Sequence, residues 1–146
     1  MGALALATAL LTSVEPLRVR SESMLPTLDV GDRVVVDKLS PHWQPPAVGD
    51  LVVFREPQRG DLVVKRVVAL GGTTVALEDA VLVVDGVARH EPQMDLTRID
   101  STYFGPVTVP RDAVFVLGDN RSESIDSRTY GAVRIDELVG RVLLTF

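Results

Sequence analysis

Asp61-Leu62-Val63-Val64-Lys65-Arg66-Val67-Val68-Ala69-Leu70 is the stretch on which the fold class turns. It is a long valine-rich run that stops at Gly71-Gly72. β-Branched side chains are stiff about χ1 and suit a pleated, half-buried surface, so the run reads as a strand. Shorter runs of the same kind lie on both sides. Arg33-Val34-Val35-Val36 follows the turn Val30-Gly31-Asp32, and Leu51-Val52-Val53-Phe54 follows a near copy of it, Val48-Gly49-Asp50. These twins read as similar lead-ins to two strands, not as an internal repeat. Val81-Leu82-Val83-Val84 and Val87-Ala88 flank Asp85-Gly86, a strong signal for a two-residue hairpin. Val107-Thr108-Val109 and Ala113-Val114-Phe115-Val116-Leu117 follow, split by Pro110, and Val139 to Phe146 closes the chain. Beyond the N-terminal run, Arg134 to Leu138 is the best candidate for a helical turn. Short strands between Gly, Pro and Asp turns predict a mostly β fold, an antiparallel sheet or a partly closed barrel.

The chain of 146 residues is long enough for one compact domain with a proper core. Hydrophobic residues make up 46% and charged residues 24%, a globular composition. The net charge is −5, with both signs spread along the chain. That argues against a nucleic-acid partner, which would call for a basic face. Cysteine is absent, which excludes disulfides and thiolate chemistry. His42 and His90 sit in polar or proline-flanked contexts without a second residue at ligand spacing, so neither a metal nor another cofactor is expected.

Gly2 to Val14 carries no charge. As a helix it would reach about 20 Å at ~1.5 Å per residue, short of the ~30 Å hydrocarbon core. No basic residue precedes it, as a secretory signal would require. It reads as a buried helix, an interfacial anchor, or the end of a spanning helix. The expected organisation is therefore an apolar segment, 1–14, and a single β domain, 15–146.

Two residues look like a nucleophile and its base. Of the 15 basic residues only Lys38 and Lys65 are lysines. A lysine kept in an apolar run of an arginine-rich chain suggests a task that arginine cannot do. Arginine stays protonated, whereas a buried lysine can lose its proton and accept one from a serine hydroxyl. In a strand Lys65 shares a face with Val63 and Val67. Lowering its pKa from ~10.4 to ~7.5 would cost roughly 4 kcal/mol. The other reading is an edge-strand lysine whose ammonium reaches back to water. Ser23 lies in Ser21-Glu22-Ser23-Met24-Leu25-Pro26-Thr27-Leu28, where Pro26 and Thr27 favour a turn just after it. Serine–lysine pairs are a known variant of the nucleophile–base arrangement.

A third segment, Gly118 to Gly131, follows a very apolar strand and is dense in hydrogen-bonding groups. Asp119, Asn120, Asp126 and Arg128 could hold it rigidly by hydrogen bonds and an ion pair. It also reads as a polar turn.

Taken together, these segments resemble the type I signal peptidases, membrane-bound serine proteases that remove signal peptides from exported proteins. The matching residues are Ser23-Met24-x-Pro26-Thr27, Gly49-Asp50-Leu51-Val52-Val53-Phe54, Lys65-Arg66-Val67-Val68, and Gly118-Asp119-Asn120 through Ser124-x-Asp126-Ser127-Arg128 to Gly131. They cover the chain from about Arg18 to Arg141, and SESMLPTLDVGDR is especially similar to cyanobacterial and thylakoid members. The resemblance implies Ser23 as nucleophile and Lys65 as general base. It implies Ser21 as an oxyanion donor, Ser124 as the residue that orients the lysine, and Asp126 with Arg128 as a supporting ion pair. It further implies a signal-peptidase-type β domain that is catalytic. The substrate would be added as a strand between Leu17–Ser21, with Val19 and Arg20, and Asp61–Val64, with Leu62, Val63 and Val64. The cut would follow small residues of the Ala-x-Ala type. The implied partners are signal peptides of preproteins and a membrane lipid surface, with the catalytic domain on the non-cytoplasmic side.

The sequence departs from that family in three places. The region before the serine is abbreviated, the stretch from Lys65 to Gly118 is short, and Gly71-Gly72-Thr73-Thr74 stands where many relatives have Gly-Asp. Other readings are a maturation peptidase for one precursor and a catalytically silent peptide-binding β domain. A self-cleaving repressor shares the serine–lysine core, but it would need a DNA-binding domain before the serine.

Overall fold

The computed structural model of the chain describes residues 13–95, 97 and 101–146. The apolar run from Gly2 lies outside these residues up to Thr12. Eleven strands are described: β1 Val14–Arg18, β2 Arg33–Asp37, β3 Leu51–Arg55, β4 Leu62–Leu70, β5 Thr74–Glu78, β6 Val81–Val84, β7 Val87–Ala88, β8 Phe104–Thr108, β9 Ala113–Leu117, β10 Val133–Arg134 and β11 Leu138–Thr145. They form two antiparallel sheets, ordered β1-β2-β11-β3-β4-β9-β10 and β7-β6-β5-β8. The expected mostly β, antiparallel fold is thus present, and the barrel is not closed.

The valine-rich run forms the nine-residue β4, which divides its pairing. Leu62 to Arg66 pair with β3, and Arg66 to Leu70 pair with β9. Among the described residues the other edge of its first half therefore carries no strand. β1 is, among the described residues, the end strand of the same sheet and pairs with β2 alone. Val19, Met24, Leu28, Val34, Val36, Val53 and Val64 meet in one buried cluster. The sheet curls around that cluster and brings the free edges of β1 and β4 to face each other.

The twin turns are structurally alike. Gly31 and Gly49 take φ of 99° and 96°, left-handed values that glycine adopts without penalty. Asp32 accepts the Asp29 amide, and Asp50 accepts the Ala47 amide, each at 2.9 Å. Gly31 then donates to the Val19 carbonyl, and Gly49 to that of Val67. The two turns lead into β2 and β3 and anchor β1 and β4, the walls of the facing edges.

A second cluster, with Val68, Val75, Leu77, Leu82 and Phe115, joins the smaller sheet to β4 and β9. A third, with Phe54, Val67, Val116 and Leu138, covers the opposite face. β9 is buried throughout. The Asp85-Gly86 hairpin forms as expected, with both residues at positive φ. A 3₁₀ turn at Ile135–Glu137 occupies the predicted helical turn. The sequence reading omitted β5, and the strand expected at Val107–Val109 begins earlier, at Phe104.

Candidate active site

Ser23 follows β1 by a short tight segment. The Leu25 amide returns to the Glu22 carbonyl, and the Leu28 amide to that of Met24. Met24 is 1% exposed and plugs the turn into the cluster beneath it. The Ser23 carbonyl accepts the Asn120 amide at 3.0 Å, and Asn120 Nδ2 donates to the Glu22 carbonyl at 3.0 Å. Asn120 thus ties the serine turn to the polar segment after β9. Ser23 Oγ lies 3.1 Å from Ser21 Oγ.

Lys65 is 3% exposed, so the edge-strand reading does not hold. Its Nζ donates to Ser124 Oγ at 3.1 Å. Ser124 Oγ donates in turn to Asp126 Oδ2 at 2.9 Å. Asp126, fully buried, is gripped by Arg128 through Nε at 2.9 Å and Nη2 at 3.0 Å. It also accepts the Gly118 amide at 3.0 Å and caps the single-turn helix Ser127–Tyr130. The polarity of this chain is fixed. Asp126 takes the Ser124 proton, so Ser124 offers Lys65 a lone pair. A neutral Lys65 amine that donates one N–H there keeps its own lone pair free. Burial pushes the Lys65 pKa from 10.5 down to about 8. Asp126 and Glu56 pull it upward, and Arg128 adds to the lowering.

Asp119 holds the adjoining strand. Arg66 donates to it through Nε at 2.9 Å and Nη2 at 2.8 Å, and Thr27 Oγ1 donates to the same carboxylate. Adjacent residues of β4 therefore do different work on opposite faces. Arg66 clamps β4 to the serine turn and the polar segment, while Lys65 presents its amine.

Ser21, Ser23 and Lys65 line one groove of about 740 Å³. Its walls are Leu17 to Ser21, including Val19 and Arg20, and Gly60 to Val64, including Leu62 and Val63. All the sequence-predicted groups thus come together in one region, Ser21, Ser23, Lys65 and the two edges in the groove and Ser124, Asp119, Asn120, Asp126 and Arg128 behind it. Sequence reasoning gave no site role to four contributors, Gly118, Arg121, Glu91 and Glu56. Gly118 leaves no room for a side chain, because a Cβ there would stand 2.1 Å from Ser124 Oγ and 2.5 Å from the Ser23 carbonyl oxygen. Its place at a strand end before a polar segment was the available signal. Arg121 is 2% exposed, donates to the Gly118 carbonyl at 2.8 Å, and forms a two-point ion pair with Glu91 at 2.6 and 3.1 Å. Glu91 lies 30 positions away in a polar loop that carries no local signal. Glu56 lines the groove, and its buried carboxylate accepts the amides of Gln58 and Arg59.

Known proteins are similar to this chain in sequence and fold. The family model described as signal peptidase, peptidase S26, matches residues 1–146. Probable signal peptidase I-1 of Synechocystis sp. is 40% identical over 146 residues, covering 90% of this chain and 70% of that protein. Probable thylakoidal processing peptidase 2 of Arabidopsis thaliana, a chloroplast protein, is also 40% identical, over 90% of this chain and 38% of its own length. A crystal structure of a signal peptidase I from Enterococcus faecalis V583 superposes with a TM-score of 0.58 at 31% identity, over 69% of this chain and 98% of that one. The chain belongs to the signal peptidase family of serine peptidases, S26.

Proposed function

We propose that this chain removes signal peptides from preproteins, with Ser23 as nucleophile and Lys65 as its general base. The observation that carries the reading is the state of Lys65. It is a buried amine with a pKa of about 8, oriented by Ser124 in the groove that Ser23 also lines. Neutral Lys65 takes the Ser23 proton as Oγ attacks the scissile carbonyl, and returns it to the departing amine. Ser21 Oγ, beside the nucleophile, and the Ser23 amide receive the oxyanion. One such donor is worth ~10²–10³ in rate. No metal or cofactor enters this scheme.

The preprotein lies between β1 and β4 as an added strand. Successive antiparallel pairings from β1 through β2, β11 and β3 to β4 make the two walls run in the same direction. A strand between them therefore has one sense relative to both. The sense that lays the residues before the cut along Leu17 to Ser21 is parallel. Val19 and Val64, both buried, floor the groove and leave room for small side chains, in keeping with Ala one and three residues before the cut.

Membrane association belongs to the same reading. Among the described residues no helix is long and apolar enough to cross a membrane. Val14, Leu39 and Trp43 are exposed near the point where the apolar run joins β1. Tryptophan with aliphatic neighbours suits a lipid interface, and this placement supports docking of the domain on a membrane surface; the non-cytoplasmic face follows from the same function, since signal peptides are removed from exported preproteins.

The test is cleavage of a peptide with an Ala-x-Ala site, in detergent or lipid, by wild type, Ser23→Ala, Lys65→Ala and Lys65→Arg. Wild type cuts after the second Ala and all three variants are inert. Full activity in Lys65→Arg would overturn the mechanism, because that variant keeps the charge and loses the ability to deprotonate.

A further inference from the structure

Of the 13 arginines, Arg98 lies outside the described residues, Arg33, Arg89 and Arg111 are exposed and do not line the groove, and the other nine divide into two groups. Arg66, Arg121, Arg128, Arg134 and Arg141 each have a carboxylate within 3.2 Å. Arg18, Arg20, Arg55 and Arg59 are exposed and line the groove. Among the described residues none of these four lies within ion-pair distance of an acid. Arg55 donates only to the Gly60 carbonyl. The groove's acids do not offset them. The Glu56 carboxylate is buried and spent on its own loop, which leaves Asp61 and Glu123. A chain of net charge −5 thus gathers unpaired cations around the site. Like charges held together raise the energy of the free protein and draw in an anionic partner.

Their register says where that partner sits. Arg18 and Arg20 alternate with Val19, which is buried against Met24 and Val64. An added strand also alternates, with every second side chain on the same face. Inward positions one and three before the cut meet the valine floor. Positions two and four then face outward along Arg18 and Arg20, with Arg55 and Arg59 on the facing side.

We propose that the groove selects acidic side chains at the outward positions of the substrate strand, the second and fourth residues before the cut. This rests on the reading of the groove as a signal-peptide site. A peptide suits the cations better than a bilayer does, because they line the walls of a groove that a flat surface does not enter.

The experiment compares kcat/KM of the full chain, in nonionic detergent, for peptides that differ only at the second residue before the cut: Ala-Glu-Ala, Ala-Gln-Ala and Ala-Lys-Ala. Exposed pairs of this kind give about threefold per step, so Glu exceeds Gln and Gln exceeds Lys. The ranking collapses in roughly 0.5 M salt. Arg18→Glu combined with Arg20→Glu inverts it, read as a ratio within the variant so that a change in basal rate cancels. Cleavage of the Gln peptide with Glu and Lys within twofold would refute the inference and leave the proposed function standing. No cleavage of any of the three would sink both. A flat ranking on peptides, with arginine-dependent activity on vesicles containing phosphatidylglycerol, would assign the cations to lipid and also overturn the proposal.

Discussion

Gly118→Ala should disable the site while leaving every reacting group chemically intact. The added Cβ would lie 2.1 Å from Ser124 Oγ, 2.5 Å from Ser124 Cβ and 2.5 Å from the Ser23 carbonyl oxygen. Rotating the Ser124 hydroxyl away relieves only the first contact and breaks the bond to Lys65. The other two require Ser124 or the serine turn to move by about 1 Å to regain ordinary separation. Asn120 resists that shift at the Ser23 carbonyl, and Asp126 and Arg121 grip both sides of Gly118. Overpacking of this kind costs about 1–3 kcal/mol, or a Tm loss of roughly 3–10 °C for a chain of this size. The same displacement acts on both the nucleophile and the orienter of the base, and a misplacement of about 1 Å costs ~10² in rate. A folded Gly118→Ala protein should therefore cleave the Ala-x-Ala peptide at about a hundredth of the wild-type kcat/KM, with circular dichroism intact. Retention of more than about a tenth of the activity would refute the claim that this contact sets the geometry.

Cleavage should rise with pH through about 8 as Lys65 deprotonates; a plateau already reached at pH 6 would exclude Lys65 as the base. The folded Lys65 pKa is lowered, so the unfolded chain binds more protons between about 8 and 10.5, and stability climbs across that window. Below it the full cost, about 3 kcal/mol, is present, so Lys65→Met should stabilise the protein to urea at pH 7 and do so less at pH 10.5. Glu91→Gln removes the counter-charge of Arg121, a cation that cannot deprotonate, and should cost about 2–4 kcal/mol in urea unfolding; an unchanged midpoint would mean that water already serves Arg121. Asp79 and Ala80 turn the β5–β6 hairpin at φ of 50° and 67°, where a Cβ is costly. Ala80→Gly should raise stability by about 0.5 kcal/mol without altering cleavage, and a fall in Tm would show that the turn is not strained.

What the sequence disclosed depended on how local the cause was. The Asp85-Gly86 turn and the twin Gly-Asp lead-ins were legible because positive φ and an aspartate three residues after its amide donor are local facts. β5 was not, because Thr74-Val75-Ala76-Leu77-Glu78 holds more helix formers than β-formers. It is a strand because β6 and β8 pair with both of its edges, a tertiary cause that outweighs propensity. Gly118 was visible in the polar box, but its necessity comes from Ser124 and Ser23 converging on its Cα. Glu91 gave no signal at all, since only the folded chain brings it to Arg121.

Lys65 and Arg66 show why the site was nonetheless readable. They are adjacent cations on one strand, and their side chains take opposite faces. On one face a carboxylate waits, Asp119, held in two-point geometry that a guanidinium fits and an ammonium does not. On the other face the direct hydrogen-bond partner is the hydroxyl of Ser124, whose proton is committed to Asp126. A permanent cation placed there would be buried without a direct counter-ion, whereas an amine can shed its proton. Exchanging the two residues would put a permanent charge where neutrality is needed and a single-point donor where a fork is needed. The order lysine then arginine is therefore set by the two faces of β4. That is why a lysine inside an apolar run of an arginine-rich chain carried chemical information before any fold was known.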